Sequence, residues 1–249
     1  MHFADIYINS FCIEENEFYS IYHDEETPYM YDHNFLLLHY QPTLEEFKII
    51  EQNLLDFHEE AGLEHVKFIW PEGTGLTTPV ASYLAENEYG LEMLELYEIW
   101  PEDFSPSRIN RSVEVSFVTE ETLELFKKIS YEQDREITLA FADQKQSLYD
   151  QLFEEENVRL VIAMMEDEPA GGMTVIETAK SVEIDSLFVR EQWQRNGIGA
   201  AIQQFAMDLA GNRPVILVAD ADESPREMYQ RQGYEYQTFQ IGAQKELKK

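Results

Sequence analysis

Six residues, Gln194-Arg195-Asn196-Gly197-Ile198-Gly199, stand between a strand-favouring stretch and a run with helical spacing. Val182, Ile184, Leu187 and Val189 supply the strand, while Glu183, Asp185 and Ser186 break its alternation; the slip near Ser186 predicts a β-bulge that splays this strand from a neighbour. Ala200, Ala201, Ile202, Phe205, Ala206 and Leu209 recur at helical spacing, so the two glycines fall at a helix N-terminus. The first N–H groups of a helix have no intrahelical partner and lie at the positive end of its dipole, and a missing side chain lets an anion approach the backbone. That is chemistry for a pyrophosphate. A Walker loop would end in Gly-Lys-Ser/Thr, where this chain reads Gly199-Ala200-Ala201, and a dinucleotide fingerprint would need a third glycine near Ile202.

The elements that must position this loop follow it. Pro214 to Ala219 reads as a buried strand. Ser224 as N-cap, Pro225 as first helical residue and Glu227 three positions after the cap make a capping box that opens a helix carrying Tyr229, and Gly233-Tyr234 starts a last strand. In these features residues 111–249 resemble the GNAT superfamily of N-acyltransferases, whose acyl-CoA loop reads Gln/Arg-x-x-Gly-x-Gly/Ala after a bulged strand. Gln194, Gly197 and Gly199 match at each specified position, and Tyr229-x-x-x-Gly233-Tyr234 repeats the family's tyrosine followed by Gly-Phe or Gly-Tyr.

The rest of that region has the family's layout. Val113 to Val118 alternates as a strand, and a helix follows with Leu123, Leu125, Phe126 and Ile129, either Thr119 or Thr122 capping it. A second helix is expected at about 144–155, then a strand from Val158 to Met165, a turn at 166–169 and an antiparallel strand from Ala170 to Ile176. The resemblance implies an α/β chain of α+β type: a mixed, mostly antiparallel sheet flanked by helices, preceded by a smaller α/β domain.

That smaller domain, residues 1–110, reads as a degenerate copy. A strand from Asn34 to Tyr40 precedes a helix from Leu44 to Ala61, with Thr43 and Glu46 as capping box, Gly62 as stop, and Phe47, Ile50, Leu54, Leu55 and His58 spaced for one buried face. A strand at 66–70, a helix opening at Thr78 and an extended stretch from Leu91 to Trp100 complete the order. Thr78-Pro79-x-x-x-Tyr83-x-x-x-Asn87 parallels Ser224-Pro225-x-x-x-Tyr229-x-x-x-Gly233. Its turn, Gln41-Pro42-Thr43, has no glycine and lacks an N–H at Pro42, so it should not hold a pyrophosphate, and Tyr83 reads as a packing residue. Pro101 to Asn110 reads as the interdomain linker.

Composition narrows the partners. With 49 acids against 18 lysines and arginines, the net charge of −31 disfavours nucleic acid or an anionic membrane as partner. Residues 190–231 hold five arginines and six acids, so nearly all the excess lies elsewhere and an anionic cofactor meets least repulsion at the loop. No apolar run is long enough for a membrane span and the first residues lack a basic secretion start, so a cytoplasmic protein, monomer or homodimer, is expected. Cys12, the only cysteine, excludes an internal disulfide and reads as a small buried hydrophobe; the six histidines form no tight ligand pair, and no metal is expected.

The resemblance further implies direct transfer of an acetyl group from acetyl-CoA to a primary amine of a small molecule or peptide. Backbone groups of Leu187, Phe188 and Val189 would take the pantetheine amides, and Gln194, Arg195, Asn196, Gly197, Ile198, Gly199 and Ala200 the pyrophosphate. Tyr229 would protonate the departing thiolate, and Glu183 would be the general base, with Asp185 and Glu177 as alternatives. A sensor that binds acetyl-CoA or another ligand without transfer is the alternative function.

Overall fold

The computed structural model describes residues 1–221 and 226–247. In chain order these form β1 (Phe11–Glu15), β2 (Tyr19–His23), β3 (Phe35–Leu38), α1 (Leu44–Ala61), β4 (His65–Ile69), α2 (Thr78–Glu86), β5 (Gly90–Ile99), β6 (Glu114–Phe117), α3 (Leu123–Asp134), α4 (Leu139–Glu154), β7 (Val158–Met165), β8 (Glu168–Glu177), β9 (Val182–Val189), α5 (Ile198–Ala210), β10 (Val215–Asp220), α6 (Arg226–Gln232) and β11 (Glu235–Glu246). The class is mixed α+β, with mostly antiparallel ladders.

Two compact units divide the chain. The larger comprises Met1, Leu96–Val218 and Pro225–Gln237; the smaller comprises His2–Glu95, Ala219–Ser224 and Thr238–Lys249. The sequence reading divides the chain linearly at residue 110, whereas here the end of the chain groups with the N-terminal part. The physical cause is pairing: Gly242–Glu246 of β11 form an antiparallel ladder with His65–Ile69 of β4.

In the smaller unit β1, β2 and β3 are successive antiparallel neighbours, and β3 runs parallel to β4 through the α1 crossover. α1 spans the predicted residues. Thr43 Oγ1 accepts from the Glu46 N–H at 3.3 Å while the Glu46 carboxylate accepts from the Thr43 N–H at 2.8 Å, and Gly62 closes the helix at φ 73°. Its buried face differs from expectation by one residue: Leu55 is half-buried and Glu51 is buried instead. Hydroxyls of Tyr83 and Tyr89 donate to Glu51 at 2.6 and 2.5 Å, which satisfies a carboxylate that its spacing from Phe47, Leu54 and His58 puts on the buried face and its charge would keep outside. Burial and then that bond push the Tyr83 phenol up to about 12, and its ring packs edge-on against Phe47, centroids 6.1 Å apart. Phe47, Leu54, Phe68, Trp70, Val80 and Leu84 form the core beneath.

One expectation here needs correction. Cys12 is exposed, because β1 has every residue exposed, Phe11 at 73% included. The β1–β2 hairpin was not foreseen, since an outer strand wetted on both faces needs no apolar alternation. α2 opens at Thr78 as the sequence predicts, with Thr77 at the N-cap and Pro79 in the first turn.

His58 and His65 are buried together, with ring centroids 5.4 Å apart. His58 Nδ1–H donates to the His65 carbonyl at 2.5 Å and His65 Nε2–H to the Asn34 carbonyl at 3.1 Å. Burial lowers each pKa to about 4, with mutual repulsion adding to it at His65. Among the described residues, no group of three or more His, Cys, Asp or Glu could hold a metal ion. No helix among them is long and apolar enough to cross a membrane.

In the larger unit β6, β7, β8 and β9 follow as antiparallel neighbours, and β9 runs parallel to β10 through the α5 crossover. α4 begins at Leu139, five residues before the sequence reading placed it. Thr138 caps it, accepting from the Phe141 N–H at 3.1 Å, and the exposure of Ile137 (66%) and Leu139 (65%) hides the periodicity that would have marked this start. Thr122 is the N-cap of α3, although its hydroxyl accepts from the Thr119 N–H outside the helix.

Candidate active site

The bulge is where the alternation slips. Asp185 pairs with Thr174 and Phe188 with Gly172, so β9 spends one residue more than β8 over this interval, and Ser186 stands at φ 51°. The parallel ladder with β10 covers Val182 to Ile184 only up to this point. A Cβ on Gly171 would collide with the Phe188 carbonyl oxygen, and one on Gly172 would meet the Val161 carbonyl at 2.7 Å and the Phe126 ring at 2.8 Å. The glycine pair therefore lets the bulged segment close onto β8.

Arg190 fixes the exit from β9. Its N–H donates to the Ala170 carbonyl at 2.9 Å, and its guanidinium reaches the Pro169 carbonyl at 3.0 Å and the Glu132 carboxylate on α3 at 2.9 Å. A single 3-10 turn over Glu191–Trp193 follows, and the Gln194 side-chain amide folds back to donate to the Val189 carbonyl at 3.1 Å. That carbonyl, expected to be free, is engaged. Arg195 and Gly197 then adopt positive φ, 60° and 75°, which turns the chain into α5 with Gly197 as its N-cap. Among the described residues, no group accepts from the backbone N–H of Arg195, Asn196, Gly197, Ile198, Gly199 or Ala200.

The two glycines differ in what they permit. A Cβ at Gly197 would lie 3.0 Å from the Asn110 nitrogen and 3.2 Å from both Cγ and the carbonyl oxygen of Arg108. At Gly199 a Cβ would be in ordinary contact with Val189 Cγ2 at 3.6 Å, so the fold does not demand glycine there. Asn110 N–H donates to the Gly197 carbonyl at 3.1 Å. Arg108 and Asn110 are therefore part of this loop's surroundings, and sequence reasoning missed them by reading Pro101 to Asn110 as linker. Among the described residues neither Arg108 nor Arg195 is ion-paired, although the chain carries 49 acids.

The carboxylates and tyrosines separate by environment. Glu183 is buried at 7% exposure, opposite Ile176 of β8, whereas Asp185 is exposed. Glu177 is committed to Arg213, 2.9 Å away. Behind the bulge Lys145 is buried, 3.1 Å from Asp134, and Tyr149 donates to Asp134 at 2.9 Å. Burial alone would lower the Lys145 pKa, but Tyr149, Asp134 and Asp185 hold it above the usual lysine value. Tyr229 is half-buried on α6, its ring 5.4 Å from those of Tyr97 and Tyr234, and burial raises its pKa. The predicted cap of that helix, Ser224 with Pro225, lies outside the described residues. Tyr234 donates to Gln203 Oε1 at 2.9 Å, and Gln203 Nε2 reaches the Gly199 carbonyl at 3.4 Å, so contacts run unbroken from Tyr229 to the glycine loop.

A bulged strand thus leads through a glycine turn, whose N–H groups have no acceptor among the described residues, into a crossover helix. Residues 125–242 match the family model described as acetyltransferase (GNAT) domain, a match that supports acyl transfer in general. Residues 1–97 match a domain of unknown function. Among solved structures, a functionally unknown conserved protein from Staphylococcus epidermidis shares 27% identity over 100% of this chain and 98% of its own, with a TM-score of 0.91. A GCN5-related N-acetyltransferase from Kribbella flavida shares 14% identity over 94% and 89% of the two chains, with a TM-score of 0.61. A tandem GNAT protein from the clavulanic acid biosynthesis pathway shares 11% over 85% and 73%, with a TM-score of 0.54; at these identities the last two show the fold. No curated protein matches the chain.

Proposed function

We propose that residues 111–249 act as an N-acetyltransferase moving the acetyl group of acetyl-CoA directly to a primary amine of a small molecule or peptide, with residues 1–110 a degenerate module that holds no cofactor. The observation that carries this is the set of N–H groups from Arg195 to Ala200 without acceptors among the described residues, at a turn that Gly197 makes in the left-handed region. Gly199 adds room for close approach, and the unpaired Arg108 and Arg195 add positive potential. These features fit the diphosphate of CoA.

Acetyl-CoA supplies the acyl group as a thioester. The bulge offers backbone groups of Leu187, Phe188 and Val189 to the pantetheine amides, the Val189 carbonyl excepted because Gln194 holds it. Gln194 to Ala200 hold the diphosphate. Glu183 removes a proton from the attacking ammonium, directly or through water, with Asp185 as the exposed alternative. Glu177 is the weaker alternative, since its charge is matched by Arg213. As the C–N bond forms and the C–S bond breaks, the Tyr229 hydroxyl gives its proton to the sulfur. Burial keeps that phenol protonated at neutral pH, as a proton donor requires.

Tyr229→Phe is expected to lower kcat by roughly 10- to 1,000-fold while the Kd for CoA stays within about twofold, because the ring keeps its packing and only the acid is lost. Thiol release from acetyl-CoA over a panel of primary amines, alongside a thermal-shift titration with CoA, measures both. An unchanged kcat removes Tyr229 from its role, and saturable stabilisation without thiol release from any amine supports a sensor instead.

A further inference from the structure

We propose that Gln203 and Tyr234 are a positioning pair that sets Tyr229 against the glycine loop, so that delivery of the thiolate's proton depends on a hydrogen bond outside the reacting groups. The inference rests on Tyr229 being the acid.

α6 has seven residues, too few for an isolated helix to hold its own geometry. The direction of Tyr229 must therefore come from what anchors that helix. The Tyr229 hydroxyl has no hydrogen-bond partner among the described residues; its ring meets those of Tyr97, which is fully buried, and Tyr234. The Tyr234 N–H closes the end of α6 on the Tyr229 carbonyl at 3.0 Å, which ties the two residues through the backbone as well. Tyr234 in turn is 3% exposed, and its hydroxyl donates to Gln203 at 2.9 Å. Gln203, also 3% exposed, stands on a face of α5 otherwise made of Ala200, Ile202, Ala206, Met207 and Ala210. A glutamine there is costly unless both ends of its amide are used, and they are: Oε1 by Tyr234, Nε2 by the Gly199 carbonyl at 3.4 Å. One side chain thus grips the helix turn that carries the loop and the residue that ends α6. This separates the pair from an ordinary core contact, because it spans the two parts that the proposed reaction needs in register.

The test uses the full chain, acetyl-CoA and the panel amine on which the wild type is most active. Tyr234→Phe, which removes one oxygen, is expected to lower kcat roughly 5- to 10-fold with the Kd for CoA within about twofold, and to cause no further loss when added to Tyr229→Phe. Gln203→Leu, which removes both bonds, should behave alike and serves if Tyr234→Phe does not fold. A Tyr234→Phe kcat equal to wild type, or a loss of the same factor in the Tyr229→Phe background, overturns the inference while leaving Tyr229 as the acid. If Tyr229→Phe alone is fully active, it is the acid assignment that fails, and the inference with it.

Discussion

Gly199→Asp is expected to leave the protein as stable as wild type or slightly more so, and to weaken CoA binding at least about 100-fold. The two effects have opposite signs for one reason. An aspartate in the first turn of α5 faces the positive end of the helix dipole, replaces a poor helix former and meets only ordinary contact at Val189, 3.6 Å from its Cβ. The same carboxylate stands where the diphosphate must approach; two like charges about 4 Å apart repel by about 4 kcal/mol at a near-surface effective dielectric, more than two powers of ten in affinity. Thermal unfolding without ligand and calorimetry with CoA report the two halves separately. Wild-type affinity in this variant would show that the N–H cradle is not the phosphate site. Gly197 would not serve for this test, because any side chain there crowds Arg108 and Asn110 and forces a positive φ.

Acidification is the second large effect. His58 and His65 have pKa values of about 4 in the folded protein against 6.5 for a free imidazole. The unfolded chain therefore binds more protons throughout that interval. The stability they permit is fully present above pH 6.5 and is lost as pH falls through 4, on the order of a few kcal/mol for the coupled pair. Relief of self-repulsion in a chain of charge −31 works the other way as carboxylates protonate, so total stability is not the readout. The double variant His58→Gln with His65→Asn isolates it. Denaturant unfolding should show the wild type losing stability relative to the variant between pH 7 and pH 4.5, and a difference independent of pH in that range would refute the assignment.

How far the site was legible from sequence depended on how local its causes are. The glycine turn, the slip at Ser186 and the helix from Leu44 to Ala61 were readable because each is set by dihedral preference, capping chemistry or periodicity within a few residues. The start of α4 was not, since its first apolar residues face water and the Thr138 cap lies ahead of any periodic signal. Glu51 inside the core was invisible for the converse reason: its partners, Tyr83 and Tyr89, are more than thirty residues away along the chain.

By itself, the sequence determined a bulged strand leading into a glycine-capped helix; these follow from backbone rules that act between near neighbours. Only the tertiary structure decided the pairings between residues far apart in the chain. It brought Asn110 and Arg108 to Gly197, paired the end of β11 with β4, bound Glu177 to Arg213 and joined Gln203 to Tyr234. Such pairings are chosen by burial and by the satisfaction of buried polar groups across long stretches of chain, and no short pattern of residues encodes them.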